Sequence, residues 1–146
     1  MPDKYFVDTN IFLYSILEPK TELEKQKEKI ALDFLENQQV ELVISTQVIN
    51  EVANTLFRKT SLDENQIYKI IEQILDLANV IPLTSDVTIM AIAIKGRYGF
   101  SFYDSLIVAT ALIAKCTFLL TEDLQDQQRI SFNSETIQVI NPLKIT

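Results

Sequence analysis

Four acidic residues stand where an apolar run ends or a helical pattern begins: Asp8, Glu51, Asp104 and Asp123. In open α/β sheets, strand ends and helix starts form the ligand site. Carboxylates gathered there repel one another, by roughly 4 kcal/mol for two unit charges ~4 Å apart at an effective dielectric constant of about 20. A divalent cation offsets this repulsion, and hard oxygen ligands suit Mg²⁺ or Mn²⁺. The pattern therefore predicts a metal-dependent hydrolase of phosphate esters.

The amino-acid inventory excludes most other kinds of catalytic site. The 146 residues include no histidine, one cysteine and two glycines. Without histidine there is no Ser-His-Asp triad and no histidine-rich zinc site. Cys116 lacks an imidazole base, so we expect a small buried side chain rather than a nucleophile. Gly96 and Gly99 are too few for a glycine-rich phosphate loop, which excludes a dinucleotide fingerprint and a P-loop.

Two of the acids also have a structural explanation at the start of a helix. Asp8 could cap the helix predicted from Ile11, although Asn10 could fill that position instead. Asp104 lies three residues after Ser101, which fits a capping box, and an acid in the first turn is favoured by the helix dipole. These local roles do not exclude a role in a shared site.

The other two acids have similar alternatives. Thr46 is the predicted cap of the helix that carries Glu51. In this helix, predicted from Thr46, Glu51 falls outside the apolar stripe, so it is either solvated or directed at a site on the helix surface. Asp123 follows an apolar strand, where it or Glu122 could be a turn residue. The joint placement of four acids, rather than any one of them, favours a metal site.

Short apolar runs alternate with helical patterns along the chain. This alternation predicts an α/β fold with a mostly parallel sheet of about five strands and helices on both faces. The length is that of a single domain over residues 1–146. The predicted strands are 5–7, 42–44, 80–81, 118–120 and 137–140, and the predicted helices are 11–17, 21–37, 46–58, 63–77, 86–95 and 101–115.

The four acidic motifs, taken in order, resemble those of the PIN-domain ribonucleases. The likeness is nearest to the toxin component of bacterial type II toxin–antitoxin pairs (VapC-like), and it covers nearly the whole chain. One departure is Gln127, which stands where the family frequently has a glycine. The motifs are Asp8-Thr9-Asn10 after the first strand, Glu51 in the helix after the second, Phe102-Tyr103-Asp104 opening an apolar helix, and Leu120-Thr121-Glu122-Asp123 after a later strand.

The resemblance implies a three-layer α/β/α sandwich that cuts RNA with Mg²⁺ or Mn²⁺. It makes Asp8, Glu51, Asp104 and Asp123 the metal-binding acids. Asn10 and Thr121 become groups that support these ligands or position a water molecule. Asp126 is a possible further acid near the rim of the site.

The resemblance also implies partners, namely an RNA substrate, a second copy in a homodimer, and an antitoxin whose basic tail reaches the acids. The net charge of −7 opposes RNA binding, because phosphate contacts dominate such affinity, unless the metal ion meets the phosphate. It favours a basic protein partner. Apolar side chains in residues 21–77 form either a mutual helix core or an antitoxin groove. They are Leu23, Ile30, Phe34, Ile67, Ile70, Ile71 and Ile74.

Two alternatives differ from a nuclease. A phospho-receiver domain would need a second acid beside Asp8 and an Asp after the third strand, and Val80-Ile81-Pro82-Leu83 supplies none, so we reject it. A PIN-like binding scaffold without turnover remains open. The chain begins with no basic segment leading into an apolar stretch, and no apolar run reaches the ~20 residues of a membrane span, so a cytoplasmic protein with no membrane partner is expected.

Overall fold

The computed structural model describes residues 3–37 and 39–144, which contain six strands and six helices; a pair of helices follows each of the first three strands. The strands are β1 (Lys4–Val7), β2 (Glu41–Ser45), β3 (Ala78–Ile81), β4 (Phe118–Leu120), β5 (Arg129–Phe132) and β6 (Glu135–Ile140). The helices are α1 (Thr9–Ile16), α2 (Glu22–Leu35), α3 (Thr46–Lys59), α4 (Glu64–Leu77), α5 (Ser85–Tyr98) and α6 (Phe102–Ile113). Residues 1, 2, 38, 145 and 146 of the expected 1–146 domain lie outside the described residues.

All six strands form one sheet in the order β3-β2-β1-β4-β6-β5. Five strands are parallel, and β5 alone pairs antiparallel, with β6. The mostly parallel α/β sheet is confirmed, with one more strand than the five predicted. The additional strand β5 is the edge strand of a hairpin, whose turn places Asn133 and Ser134 at φ 49° and 67°.

The strand order places helices on both faces of the sheet. From β1 the chain moves to β2 and then β3 on one side, with α1 to α4 in the connections. It then returns past β1 to β4 on the other side, through α5 and α6. Because such connections are right-handed, reversing the direction moves the helices to the opposite face. The three layers predicted from the sequence follow from this reversal.

Helix α6 is the central element of the core. It packs against β2, β4 and β6, and eight consecutive residues from Ser105 to Leu112 are buried. The near-continuous apolar sequence of this helix predicted that burial. Its first turn, which carries Asp104, reaches the surface.

Local capping residues decide where several helices begin. Ser45 caps α3 through its side chain, rather than Thr46 as the sequence suggested. Thr21 with Glu24 and Asp63 with Gln66 form complete capping boxes for α2 and α4. No described helix is long and apolar enough to cross a membrane.

Most of the apolar side chains of residues 21–77 pack into the common hydrophobic core, with α2 against α1 and α4 against α3. Ile67 and Ile74 are buried, four others are partly buried against the core, and Leu23 is exposed. A cavity of about 420 Å³ nevertheless remains between α2 and α4 over α1. The four partly buried residues are Ile30, Phe34, Ile70 and Ile71.

Candidate active site

The candidate site lies where the chain reverses its direction across the sheet, between β1 and β4. In an open α/β sheet this switch point is the usual ligand crevice. Val7 at the end of β1 is paired with Leu120 at the end of β4, so Asp8 and Thr121 emerge side by side. The Asp8 backbone N–H donates to the Leu120 carbonyl at 3.0 Å. The two motifs, 113 residues apart in sequence, therefore share one edge.

Asp8 is buried, and both of its carboxylate oxygens accept hydrogen bonds. Oδ1 accepts from the Thr9 backbone N–H at 2.7 Å, which makes Asp8 the N-cap of α1. Oδ2 accepts from the Thr121 hydroxyl at 2.8 Å. Asp8 thus takes the capping position that the sequence left open between it and Asn10. Each carboxylate oxygen has a second lone pair, so capping leaves acceptor capacity for another ligand.

The surroundings of Asp8 disfavour its negative charge. Burial raises the pKa of Asp8 from 3.8 to about 6, and the hydrogen bonds from Thr121 and Thr9 oppose this only in part. The negative charges of Asp123 and Glu51 raise the pKa of Asp8 further. The position therefore carries uncompensated charge that a cation would offset.

Glu51 reaches the same edge from α3. It is off the buried stripe of its helix, as the sequence predicted. Its Oε2 accepts from the Thr9 hydroxyl at 2.8 Å, and its Oε1 accepts from the Gln47 side-chain amide at 2.9 Å. Thr9 therefore joins Asp8, through its backbone, to Glu51, through its hydroxyl. Sequence reasoning assigned no role to Thr9 or Gln47.

Asp123 and Asp104 complete the set of acids. The Asp123 backbone N–H donates to the Thr121 hydroxyl at 3.1 Å, and the Asp104 backbone N–H donates to the Ser101 hydroxyl at 3.1 Å. Partial burial raises the pKa of Asp123, and the charge of Asp104 is the next largest cause, followed by Glu122. Both acids thus have backbone roles at helix or turn positions while their charges act on one another.

The donor set of this edge fits a hard divalent cation. The four acids come from the ends of β1 and β4 and from α3 and α6, and all carry carboxylate oxygens. Within the described residues, however, no three Asp, Glu, Cys or His side chains stand close enough to form a ready-made metal site. The acids are close enough to raise the pKa of Asp8 and Asp123, but they are not arranged as a closed ligand cage.

A second network links this edge to α2. The Asn10 side-chain amide donates to Glu122 Oε1 at 3.3 Å, and Lys27 Nζ donates to Glu122 Oε2 at 3.1 Å. Lys27 also donates to the Tyr14 hydroxyl at 3.3 Å and lies 4.9 Å from the Tyr14 ring centroid. Lys27 and Glu122 are mostly buried, with 18% and 19% of their side chains exposed. No local pattern indicates a role for Lys27, because its partner Glu122 is 95 residues away in the chain.

A family model for the PIN domain matches residues 5–133. The chain belongs to the PIN-domain family. Its fold is similar to that of a toxin–antitoxin complex from Klebsiella pneumoniae, with 21% identity, 97% of this chain and 99% of that chain covered, and a TM-score of 0.66. It is also similar to the sarcin-ricin loop cleaving toxin VapC20 of Mycobacterium tuberculosis, with 17% identity, coverage of 79% and 86%, and a TM-score of 0.63. A search of curated proteins found no match.

Two further positions of this PIN domain, Gln127 and Asp126, have roles in the backbone structure near the candidate site. Gln127, which stands where a glycine is frequent, has φ 70°, the left-handed conformation that favours glycine. Asp126 accepts from the Asn141 backbone N–H at 2.8 Å and lies 3.9 Å from Lys144. The Asn141 hydrogen bond, which anchors the loop after β6, lowers the pKa of Asp126. Cys116 is buried, as expected.

Proposed function

We propose that this PIN-domain protein is a Mg²⁺- or Mn²⁺-dependent endoribonuclease, the toxin of a toxin–antitoxin pair. The observation that supports the proposal is electrostatic: at the switch point of the sheet the charges of Asp123 and Glu51 act on Asp8, and that of Asp104 acts on Asp123. Buried Asp8 has its pKa raised to about 6 there, and the pKa of Asp123 is raised as well. Family membership and the similarity of fold to toxin structures support the same function.

The four acids would hold the metal ion. When bound, the ion lowers the pKa of a water and stabilises negative charge on the phosphodiester oxygens. Thr9 and Thr121 hold the Asp8 carboxylate through both oxygens, so its orientation is set before any ligand arrives. Thr9 also restrains Glu51. With no histidine in the chain, a carboxylate is the group available to accept a proton from the attacking water.

The partners proposed are an RNA substrate, an antitoxin and a second copy of this chain, with residues 1–146 as one cytoplasmic domain. An antitoxin is supported by the fold similarity to a toxin–antitoxin complex across 97% of this chain. A basic antitoxin tail would complement the acidic edge and the net charge of −7. The RNA would meet the acidic site through the bound ion, which explains how an acidic protein could bind an anionic substrate.

A binding scaffold without turnover is the second candidate. One observation favours it: within the described part of the chain, the acids do not form a three-residue cluster ready for a metal ion. An ion or RNA would then have to draw the carboxylates together, at a cost in repulsion and side-chain entropy.

The first test measures metal binding and needs no choice of substrate. Protein stripped with chelator is unfolded thermally with and without Mn²⁺, as wild type and as Asp8→Asn with Asp104→Asn. A ligand at about 100 times its dissociation constant stabilises by ~2.7 kcal/mol. We expect that shift in the wild type and in Asp33→Asn, a control that removes one exposed negative charge from α2, but not in the double variant.

The second half of the test is cleavage of a mixed single-stranded RNA pool in Mn²⁺. Cleavage that requires Mn²⁺ and is lost in Asp104→Asn supports the nuclease. A Mn²⁺-dependent stabilisation without any cleavage would instead support the scaffold. No stabilisation up to millimolar Mn²⁺, together with no cleavage, would contradict the proposed metal site.

A further inference from the structure

A pocket adjoins the acidic edge and shares residues with its hydrogen-bond network. The pocket has a volume of about 190 Å³ and lies between α1, the start of α2 and the end of α3. Asn10 lines it and also donates to Glu122, the residue before Asp123. Tyr14 lines it and accepts a hydrogen bond from Lys27, the ion-pair partner of Glu122. The pocket therefore adjoins the acidic residues at the sheet edge, with Asn10 and Tyr14 linking the two.

The walls of this pocket suit one flat ring. Leu13, Leu17 and Pro19 supply apolar surface and Tyr14 supplies an aromatic ring. The volume is below the ~300–1,000 Å³ of sites for drug-sized ligands. Unpaired bases of RNA bind proteins by stacking on aromatic side chains and inserting into such pockets. Beside a site for phosphodiesters, a single nucleobase is the occupant that matches both size and surface.

The polar groups of the pocket are mainly acceptors. The Glu24 side chain is immobilised because its Oε2 accepts from the backbone N–H groups of Lys20 at 2.6 Å and Thr21 at 3.2 Å. Those bonds use one carboxylate oxygen and leave the other to accept from a ligand. Glu18 lines the same pocket. Carboxylate acceptors favour bases that carry an exocyclic amino group, namely adenine, cytosine or guanine, over uracil.

Two lysine side chains lie where an RNA strand would leave the pocket. Lys59 lines the pocket and also an adjoining cavity of about 420 Å³, which extends to Lys20 and Ser61. Lys20 and Lys59 are exposed, and phosphates flanking a bound base could meet their ammonium groups there. The acidic chain thus offers positive charge beside this pocket.

We propose that this pocket binds one unpaired nucleobase of the RNA, next to the scissile phosphodiester, and prefers a base with an exocyclic amino group. The inference rests on the proposed ribonuclease function and adds to it a position of base selection.

The variants that test it are Glu24→Gln, Leu17→Trp and Glu22→Gln. Glu24→Gln keeps the capping acceptor, because glutamine serves at this position as glutamate does, but turns the remaining oxygen into a donor. Leu17→Trp fills the pocket. Glu22→Gln is the matched control, since it removes one negative charge from the same helix turn without lining the pocket.

The first measurement is base preference in cleavage of a random single-stranded RNA pool in Mn²⁺, with the cut ends sequenced. We expect wild type and Glu22→Gln to disfavour uracil at one position flanking the cut by about 10- to 150-fold, the range for one hydrogen bond to a charged group. Glu24→Gln should lose that preference at that position only, whereas Glu22→Gln should keep both the preference and the wild-type kcat. A preference that both pocket variants leave unchanged overturns the inference while the ribonuclease stands.

The second measurement is binding, which does not depend on turnover. Fluorescence anisotropy of RNA heptamers with Asp104→Asn protein compares an intact strand with one carrying an abasic nucleotide at the selected position, or at each position in turn if no cleavage occurs. We expect one abasic position to raise Kd by about 5- to 150-fold, and the added Leu17→Trp change to abolish that difference. If no abasic position matters, the pocket holds no base, whatever the outcome of the cleavage assay. If the difference appears but the wild type cuts nothing, the ribonuclease fails and the base pocket stands.

Discussion

The stability of the metal-free protein should fall as pH rises from about 4 to about 6, because of Asp8. Burial raises the pKa of Asp8 from 3.8 to about 6. A carboxyl group with a raised native pKa binds more protons in the native than in the unfolded state across that range, so stability decreases as pH increases. This sign is opposite to that of a carboxylate whose pKa is lowered by an ion pair. The loss should be complete above about pH 7.

The size of this loss can be estimated from the shift. A difference of about 2.2 pKa units at ~1.36 kcal/mol per unit gives about 3 kcal/mol. Asp8→Asn removes the charge but also rearranges hydrogen bonds. Asparagine can still accept from the Thr9 N–H, but its NH₂ group would face the Thr121 hydroxyl, which must turn its own proton elsewhere. That change costs about 1 kcal/mol.

Asp8→Asn should therefore be more stable than wild type by about 2 kcal/mol at pH 7.5 and less stable by about 0.5 kcal/mol at pH 4, where the unfolded carboxyl is already half ionised. The assay is urea unfolding in EDTA at pH 4, 5, 6 and 7.5, followed by circular dichroism. Asp33→Asn is the control for losing one exposed charge and should show no crossover. A difference between wild type and Asp8→Asn that stays constant with pH would refute the reasoning, because the buried charge would then be absent.

Two further predictions concern residues around the site. Lys27→Met should destabilise the protein by about 1 kcal/mol in thermal unfolding, because it leaves the mostly buried Glu122 without its cation. Lys27→Arg keeps the positive charge and should retain most of the stability. Equal effects of Lys27→Met and Lys27→Arg would show that the charge of Lys27 does not stabilise the fold. Gln127→Gly should stabilise the protein by up to ~1 kcal/mol, because φ is 70° at this residue, a value that favours glycine. The control Gln128→Gly should destabilise the protein. A loss of stability in Gln127→Gly would show that the side-chain contacts of Gln127 outweigh the backbone strain.

The strands and helices could be predicted well because their signals are local. Each predicted element is present, with ends shifted by a few residues. Strand β5 was missed because it lies at the edge and its hairpin turn uses Asn133 and Ser134 in left-handed conformations, without a glycine to mark the turn. The cap of α3 was assigned one residue too late, to Thr46, because Ser45 and Thr46 have the same chemistry.

In the candidate site, too, residues with local signals could be predicted and residues whose partners are distant in sequence could not. Asp8, Asp104 and Asp123 could be located because each follows a strand or begins a helix, and their backbone roles are local. Thr9 and Lys27 were not assigned, because their partners are 42 and 95 residues away. The helical or strand periodicity of a sequence does not indicate which residues so far apart will form hydrogen bonds.

The chemical groups of the candidate site, and the helices and strands that carry them, can be read from the amino-acid sequence alone. Carboxylates without histidine, placed after apolar runs, favour hard cations as ligands and strand ends as the place of a candidate site, whatever the topology. The pairing of β1 with β4, which brings Asp8 to Thr121 and buries it, exists only in the folded protein. The pKa of Asp8 depends on that burial, and the nearness of Lys27 to Glu122 depends on how α2 packs beside the edge. Burial and the proximity of charges arise when segments that are distant in sequence are brought together. They therefore exist only once the chain has folded.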